Sequence, residues 1–589
     1  MGSIVNEAQS AFVKGRQISN NILLAHELIK NYGRKHLLPR VMINIDIRKA
    51  FDYISWNFIQ DILTDMGFPL VFVKWIICCI STPNYSISLN GSLHGFFKGE
   101  RGLRQGDPLS SYIFILGMEY LTRMLNLLKD DKNFKFHPKC KNLNITHLVF
   151  ADDLLLFCKG DPYSVNRLYQ CVEYFGACSG LEANPAKCSI FYSGVSDETK
   201  HEISNSLGFP EGSLPIRYLG LPLISKRMSY IDCNPLLLKI SNQFQSCMNN
   251  KSLSYARRIQ IIKSVILGIQ NFWTSSYILP VKVLQKIDEL CRCFLWGKLE
   301  HTSKPSLVSW SNVCVQKKNE GLGIFSARLW NTAAALKILW SIHMNKEHLW
   351  IKWSHENYLK NSSIWMVNAR KGDSWMWKQL LSIRDKCIDL CGGIENLKQL
   401  LNSCCNNSKI QLSDIYSRLS PITTQVAWHD TVWENLSYPK HSFLLWLAVQ
   451  DKLQTQDRLL RNGIIQTSVC KLCDCPISES RNHLFFECTL SNIVWNGIME
   501  WLNFKWRSCN WSTLLNWFFF RLRGKGMKQK IKRMALAATV YTIWKERNCR
   551  NFKLKSKAPD TLIKNIKIDI LTATLNSQSS ECREWGLSI

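Results

Sequence analysis

The stretch VFADDLLLF sets Asp152 and Asp153 side by side inside an apolar run. Two bare carboxylates about 5 Å apart repel by about 3 kcal/mol at an effective dielectric of about 20. The pair is therefore either a solvated turn or part of a cation site. Asp46 closes a second apolar run, VMINI. Two-metal chemistry brings carboxylates together from separate strands. Ions about 3.5–4 Å apart then activate an attacking oxygen and stabilise a leaving one. If the two runs are neighbouring strands, Asp46, Asp152 and Asp153 meet at one sheet edge, where two Mg2+ ions would offset their repulsion. Residue types alone leave the other reading open: a surface turn at Asp152–Asp153 and a helix-start aspartate at Asp46.

A second constellation lies in CKLCDCPISESRNHLFFEC, where Cys470, Cys473, His483 and Cys488 follow the spacing C-x2-C-x9-H-x4-C. Thiolates two residues apart reach one tetrahedral ion, and the histidine and cysteine of the next segment close it. Four protein ligands leave no open position, so the expected site is structural and holds one Zn2+. Cys475 competes for a ligand place. Coincidence is the alternative in a chain with 23 Cys.

The elements that must position these groups can be read from periodicity. NNILLAHELIKNYG carries apolar residues at helical spacing and is expected to end on Gly33. VMINIDI, residues 41–47, alternates as a strand. KAFDYISWNFIQDIL reads as one amphipathic helix. In ERGLRQGDPLSSYIFILGMEYLTRML, a glycine-rich loop leads to Asp107 as N-cap and Pro108 as first residue of a long helix. THLVFADDLLLF reads as strand, tight turn and strand. A helix over 164–178, a loop and strand in GLEANPAKCSIFYSG, and a short strand with a turn in IRYLGLPLI follow. Irregular alternation of strands and helices favours an α+β layer over a doubly wound sheet. From about 235 to 400 the pattern is mainly helical. A basic stretch, RLRGKGMKQKIKR, spans 521–533, and the last 50 residues read as helical and basic.

Composition narrows the partners. The 589 residues suggest several domains, and 46% hydrophobic with 20% charged residues is globular composition rather than disorder. The net charge of +29, from 74 Lys and Arg against 45 Asp and Glu, points to nucleic acid. Some of the 22 Trp and 27 Phe could stack on bases, although most belong to the core. No apolar run reaches about 18 residues, so no membrane partner is expected. The start of the chain has neither a secretory leader nor a myristoylation pattern. The cysteines then read as reduced thiols of an intracellular protein, with the nucleus a compartment that fits the charge.

Six stretches occur in one order: NEAQSAFVKGRQISNNIL, INIDIRKAFDYISW, GLRQGDPLSSYIF, FADDLLLF, GLEANPAKCSIFYSG and YLGLPL. This series closely resembles the reverse transcriptase of plant LINE-type non-LTR retrotransposons. WHDTVWENLSYPKHSFLLWLAVQDKLQTQDRL before the Cys/His cluster and NIVW after it resemble the zinc-binding domain that follows it in such elements. The resemblance implies an α+β right-hand fold, with partial fingers and palm over 1–226. It further implies a mainly helical thumb and connector over 227–405, a zinc-binding domain over 412–503 and a basic helical tail over 504–589. It implies an RNA-directed DNA polymerase working with RNA template, DNA primer and dNTPs. Asp46 and Asp152 look like its metal-binding carboxylates, with Asp153 in support. Phe51 sits where the family places its steric gate: a bulky ring under C2′ admits deoxyribose and clashes with ribose. Gln105 looks like the residue touching the incoming nucleotide, with Gly102 and Gly106 letting the backbone approach. Lys187 matches a lysine that protonates departing pyrophosphate. YLGLPL resembles the primer grip, and Lys14 and Arg16 lie in a fingers motif that contacts template or triphosphate.

Against the family pattern, the chain begins inside the fingers motifs. No endonuclease precedes them, and no set of spaced carboxylates after 535 suggests a ribonuclease H domain. Two other functions remain open from sequence. One is an inactive element remnant that only binds nucleic acid. The other is a two-metal nuclease, which the ordered GLRQGDPLS and FADD motifs argue against.

Overall fold

The structure, a computed structural model, describes all residues except 1, 35–36, 250–252, 298–305, 345–346, 361, 408, 422–423, 474, 504–509, 522–523, 525 and 578–589. Part of the basic stretch at 521–533 and the end of the expected helical tail thus lie outside the described residues. The chain forms two compact units. The first comprises Met1–Asn234, Asn271–Pro280 and Asn331–Arg418, and the second Pro235–Gln270, Val281–Trp330 and Leu419–Ile589.

A four-stranded antiparallel sheet organises the first unit. Its strands are β1 (Arg40–Ile45), β4 (His147–Phe150), β5 (Asp153–Lys159) and β6 (Ser189–Ser193), in the order β4-β5-β1-β6. β1 and β5 are almost wholly buried, which explains why they read as continuous apolar runs. Helices α5 (Pro108–Leu127) and α6 (Pro162–Ser179) pack on each other, and α6 packs on β5. Their apolar faces join the strands in one core that includes Ile43, Phe114, Leu154 and Phe175. The N-terminal segment extends the sheet edge: Gln9 bridges Val149 in parallel, and the Ser10 N–H donates to the Val149 carbonyl at 3.1 Å.

Three local expectations needed revision. The helix in NNILLAHELIKNYG is α1 (Ile18–Leu28) and stops before Gly33. Asn31 turns the chain at φ 65° and its N–H donates to the Ser225 carbonyl, so a tertiary hydrogen bond overrides the helical pattern. KAFDYISWNFIQDIL is two helices, α2 (Ala50–Tyr53) and α3 (Trp56–Asp65). Ser55 breaks them: its hydroxyl caps α3, and its N–H donates to the Ser179 carbonyl at 2.8 Å. After α4 (Leu70–Ser81), an unexpected hairpin forms from β2 (Asn84–Leu89) and β3 (Ser92–Lys98). Its residues are nearly all exposed, so it lacks the buried alternate face that marks a strand in sequence. Helix α7 (Asp197–Leu207) packs on α6, and a hairpin of β7 (Ile216–Tyr218) and β8 (Leu221–Leu223) ends this part of the unit.

The second unit is helical. The long helix Met527–Lys553 packs on Pro439–Val449 and on Pro559–Leu575. Among the described residues, no helix is long and apolar enough to cross a membrane.

Candidate active site and metal centre

The sheet register explains how distant aspartates meet. β1 pairs with β5 so that Ile45 lies opposite Leu154. One further step along both strands sets Asp46 opposite Asp153. The β4–β5 hairpin pairs Phe150 with Asp153, leaving a two-residue turn of Ala151 and Asp152. Ala151 holds φ 56°, a left-handed conformation costing roughly 1–2 kcal/mol in a residue with a Cβ. The buried side chain of Gln9 braces the turn. Its Oε1 accepts from the N–H of Ala151 at 3.1 Å and of Ala11 at 2.9 Å. Asn21 fixes the strand leading into the turn, donating from Nδ2 to the Val149 carbonyl at 2.7 Å. Neither support had a signal in residue spacing. Gln9 lay inside a quoted motif without a role.

Asp152 and Asp153 keep accessible surface, yet the protein packed around them raises both pKa values. Asp46 adds to the rise at Asp152, and Asp152 and then Asp46 add to that at Asp153, which reaches about 6. A divalent cation would offset the charge of such a cluster, and an all-oxygen donor set suits a hard ion.

Asp46 is strapped from the other side. Its carbonyl accepts from the Asn184 N–H at 2.8 Å, its N–H donates to Cys188 Sγ at 3.4 Å, and Ile47 bridges Ala183. This strap delivers Lys187, whose ammonium lies 3.7 Å from the Asp46 carboxylate.

Phe51 is half-buried on α2, stacked on Phe114 with centroids 4.7 Å apart. The loop before α5 docks on α2: the N–H of Gly102 donates to Ile54 and that of Leu103 to Phe51. Gly102 sits at φ 90°, and a Cβ there would meet the Asp52 carbonyl oxygen at 2.6 Å. Only glycine permits that approach. Gly106 also holds φ 90° but faces open space. Gln105 is exposed, its Nε2 3.3 Å from Asp52 Oδ1. Asp107 caps α5 through the Leu109 N–H, with Pro108 first in the helix.

Lys14 and Arg16 stand apart from the carboxylates. Both line a groove of about 1340 Å3 with Gln17, Asn20 and Trp340. Lys14 is exposed. The Arg16 guanidinium donates to the carbonyls of Val5, Asn6 and Gln9, so it ties the segment carrying Gln9 into place.

In the second unit, the ligand atoms of Cys470, Cys473, His483 and Cys488 all lie within 4.8 Å of one another. Tetrahedral Zn–S bonds of about 2.3 Å place neighbouring ligands just under about 4 Å apart, so the set fits zinc. The Cys473 sulfur is 3.4 Å from His483 Nε2. All four residues are buried, whereas Cys475 is exposed and outside the set. Cys488 caps the helix Thr489–Trp501. A hydrogen bond from Cys470, with help from the Leu490 and Ser491 amides, pulls its thiol down to about 5. The same shared proton pushes the Cys470 thiol up. The knuckle is pinned from beneath: Glu479, fully buried, takes a bidentate bond from the Arg547 guanidinium at 2.6–3.0 Å.

Carboxylates meet at the end of one strand and on a neighbouring hairpin, and a Cys/His knuckle follows in the chain. Two stretches of the chain match known family models. Residues 1–223 match the family described as reverse transcriptase (RNA-dependent DNA polymerase), and residues 411–495 that described as zinc-binding in reverse transcriptase. The chain therefore carries a reverse transcriptase domain followed by a reverse-transcriptase zinc-binding domain. It is 27% identical to the Pol polyprotein of type-2 retrotransposable element R2DM from Drosophila melanogaster over 51% of this chain and 28% of that protein. It is also 27% identical to the Pol polyprotein of type-1 element R2 from Popillia japonica, over 46% of this chain and 44% of that one. A putative ribonuclease H protein of Arabidopsis thaliana is 32% identical over 28% of this chain and 27% of its own length. The chain thus spans less than half the length of each.

Proposed function

We propose that the chain is the polymerase portion of a plant non-LTR retrotransposon protein, extending a DNA primer on an RNA template inside the cell, with the nucleus its working compartment. The observation that carries this is the meeting of Asp46 with Asp152 and Asp153 at the β1 end and the β4–β5 turn, within the matched reverse transcriptase region. The primer 3′-oxygen attacks the α-phosphorus of a dNTP and pyrophosphate leaves. Asp46, Asp152 and Asp153 would hold two Mg2+ ions, which would supply Lewis acidity for the displacement. Phe51, fixed by its stack on Phe114, closes the space beneath the sugar C2′. Gln105 and the amides near Gly106 contact the incoming nucleotide. Lys187, beside Asp46, donates a proton to pyrophosphate. Lys14, on the groove that Arg16 shapes, takes template phosphate. Cys470, Cys473, His483 and Cys488 would hold one structural Zn2+, which would fix a nucleic-acid-binding knuckle.

Primer extension on an RNA template with Mg2+ tests this. Incorporation by the wild-type chain and none by a folded Asp152→Asn variant is expected. Wild-type incorporation no greater than the variant's would leave only nucleic-acid binding standing.

A further inference from the structure

At the C-terminal end of α1 the first unit holds a cavity of about 410 Å3, within the size range of small-molecule sites, roughly 300–1,000 Å3. Its lining shares no residue with the carboxylate site. Six cations line it, Lys30, Arg34, Lys226, Arg227, Lys371 and Lys378, against one carboxylate, Asp373. None of the six forms an ion pair among the described residues. Lys30 donates to the Gly372 carbonyl, and Lys378 to that of Lys371 at 2.9 Å. These backbone oxygens orient two ammoniums without neutralising them. Burial lowers the Lys30 pKa. Glu27 and Asp373 oppose this, while Lys378 and Arg34 push it further down. An anion in the cavity would relieve that cost.

His26 lines the same cavity. It is 6% exposed, and neither ring nitrogen has a hydrogen-bond partner among the described residues. Its ring packs edge-on against Tyr277. A buried imidazole N–H without an acceptor is costly, and an oxygen of a bound anion supplies one. The helix Trp375–Cys391 also starts here, capped by Ser374, and its first amides add positive potential.

Charge and shape narrow the anion. One phosphate monoester carries about −2, which leaves most of the positive charge unmet, whereas a chain of linked phosphates does not. Trp375 adds a half-buried indole to the wall, with the Arg227 guanidinium 5.8 Å from its centroid. A ring beside a phosphate-binding cluster offers a base a stacking surface that an inorganic polyphosphate leaves unused.

We propose that this cavity binds a nucleoside triphosphate, with the phosphate chain among the cations and His26 and the base on Trp375. It is a second nucleotide site, separate from the carboxylates. It needs neither those carboxylates nor their cations, so it stands independently of the polymerase reading.

The test is equilibrium dialysis of the full chain against ATP, with no divalent ion added. Stoichiometric binding is expected, and Asp152→Asn should bind ATP as wild type does. Lys226→Ala/Arg227→Ala removes two exposed side chains and should weaken ATP and inorganic tripolyphosphate alike, by about tenfold or more. His26→Phe keeps a ring against Tyr277 and removes both nitrogens. It should weaken both ligands roughly three- to tenfold. Trp375→Leu should weaken ATP about tenfold and leave tripolyphosphate unchanged. Circular dichroism checks that each variant is folded, and the exposed double variant decides the outcome if His26→Phe is not. No ATP binding by wild type overturns the proposal. So does binding that Asp152→Asn abolishes, or that Lys226→Ala/Arg227→Ala leaves intact. Equal affinity for ATP and tripolyphosphate, indifferent to Trp375→Leu, marks a site for any polyanion and overturns the nucleotide. An RNA–DNA hybrid that displaces ATP from wild type marks a nucleic-acid contact and overturns it as well.

Discussion

Asp46, Asp152 and Asp153 come from distant parts of the chain and are set by strand register on an accessible face. Cys470, Cys473, His483 and Cys488 come from one short segment and are set by a local knuckle in a buried pocket. Burial and then the charge of Asp46 raise the Asp152 and Asp153 pKa values, with Asp152 adding to the rise at Asp153, so the sheet holds an arrangement that cations would relieve. At the Cys/His set a hydrogen bond from Cys470, and then the Ser491 and Leu490 amides, lower the Cys488 thiol instead. A rigid frame with exchangeable ions suits turnover. A closed four-ligand set adds its binding energy to folding.

The largest effect should come from breaking the buried site. Cys470→Ser with Cys473→Ser removes two of four ligands, and structural zinc contributes about 10 kcal/mol or more in such knuckles. Elemental analysis should fall from about one zinc per chain to none, and limited proteolysis should open the segment around residue 480. Unchanged metal content would refute the ligand set. On the open site, Asp152→Asn should lower primer extension by about 10³-fold, as for a lost catalytic electrostatic group, while leaving zinc content and melting temperature nearly untouched. Opposite outcomes in the two variants would establish that one site is structural and the other catalytic.

The next effect separates a frame that positions residues from one that merely tolerates them. Gly102→Ala puts a Cβ 2.6 Å from the Asp52 carbonyl at φ 90°, and should cost about 2–3 kcal/mol. The loss should appear in denaturant unfolding of the first unit. A cost under about 0.5 kcal/mol would mean that the loop before α5 is not held against α2. Gln9→Leu strips the Ala151 and Ala11 amides of their acceptor. It should cost about 1–2 kcal/mol and lower kcat for extension more than it raises KM for the primer–template. A purely structural role would change stability and leave that split flat.

These variants also mark what the sequence could and could not disclose. The convergence of Asp46, Asp152 and Asp153, and that of Cys470, Cys473, His483 and Cys488, was legible because each sits at the end of a strongly patterned run or at ligand spacing. Asp107 and Pro108 were legible because capping is local. Gln9 was not, since its role depends on Ala151 being forced to φ 56° by a turn far along the chain. Arg16 carried a cationic signal, yet its guanidinium meets three carbonyls of its own segment. Charge in sequence cannot tell a backbone clamp from a phosphate contact. The β2–β3 hairpin escaped because exposed strands bury no alternate face. The single helix expected across Ile54 and Ser55 failed because a mid-pattern serine reads the same whether it caps or not.

The smallest effect has the opposite sign and bears most directly on the comparison. The Asp153 carboxyl titrates near 6 in the folded chain against an ordinary 3.8, through burial first and then the charges of Asp152 and Asp46. Between those values the folded state binds more protons than the unfolded one. Metal-free stability from this group is therefore full below about 4 and declines as pH rises through 6. Asp153→Asn abolishes that penalty. At pH 7.5 and without metal the variant should be more stable than wild type by about 1 kcal/mol, a figure kept small because the carboxyl is solvent-accessible. At pH 4 the difference should vanish. Adding Mg2+ should then raise the wild-type melting temperature more than the variant's, since ions binding only the folded cluster stabilise it by mass action. No such reversal is expected at the zinc site, where losing a ligand has no pH at which it helps. A variant no more stable than wild type at pH 7.5 would mean that the three carboxylates are not held against their own repulsion, and the contrast between the two sites would collapse.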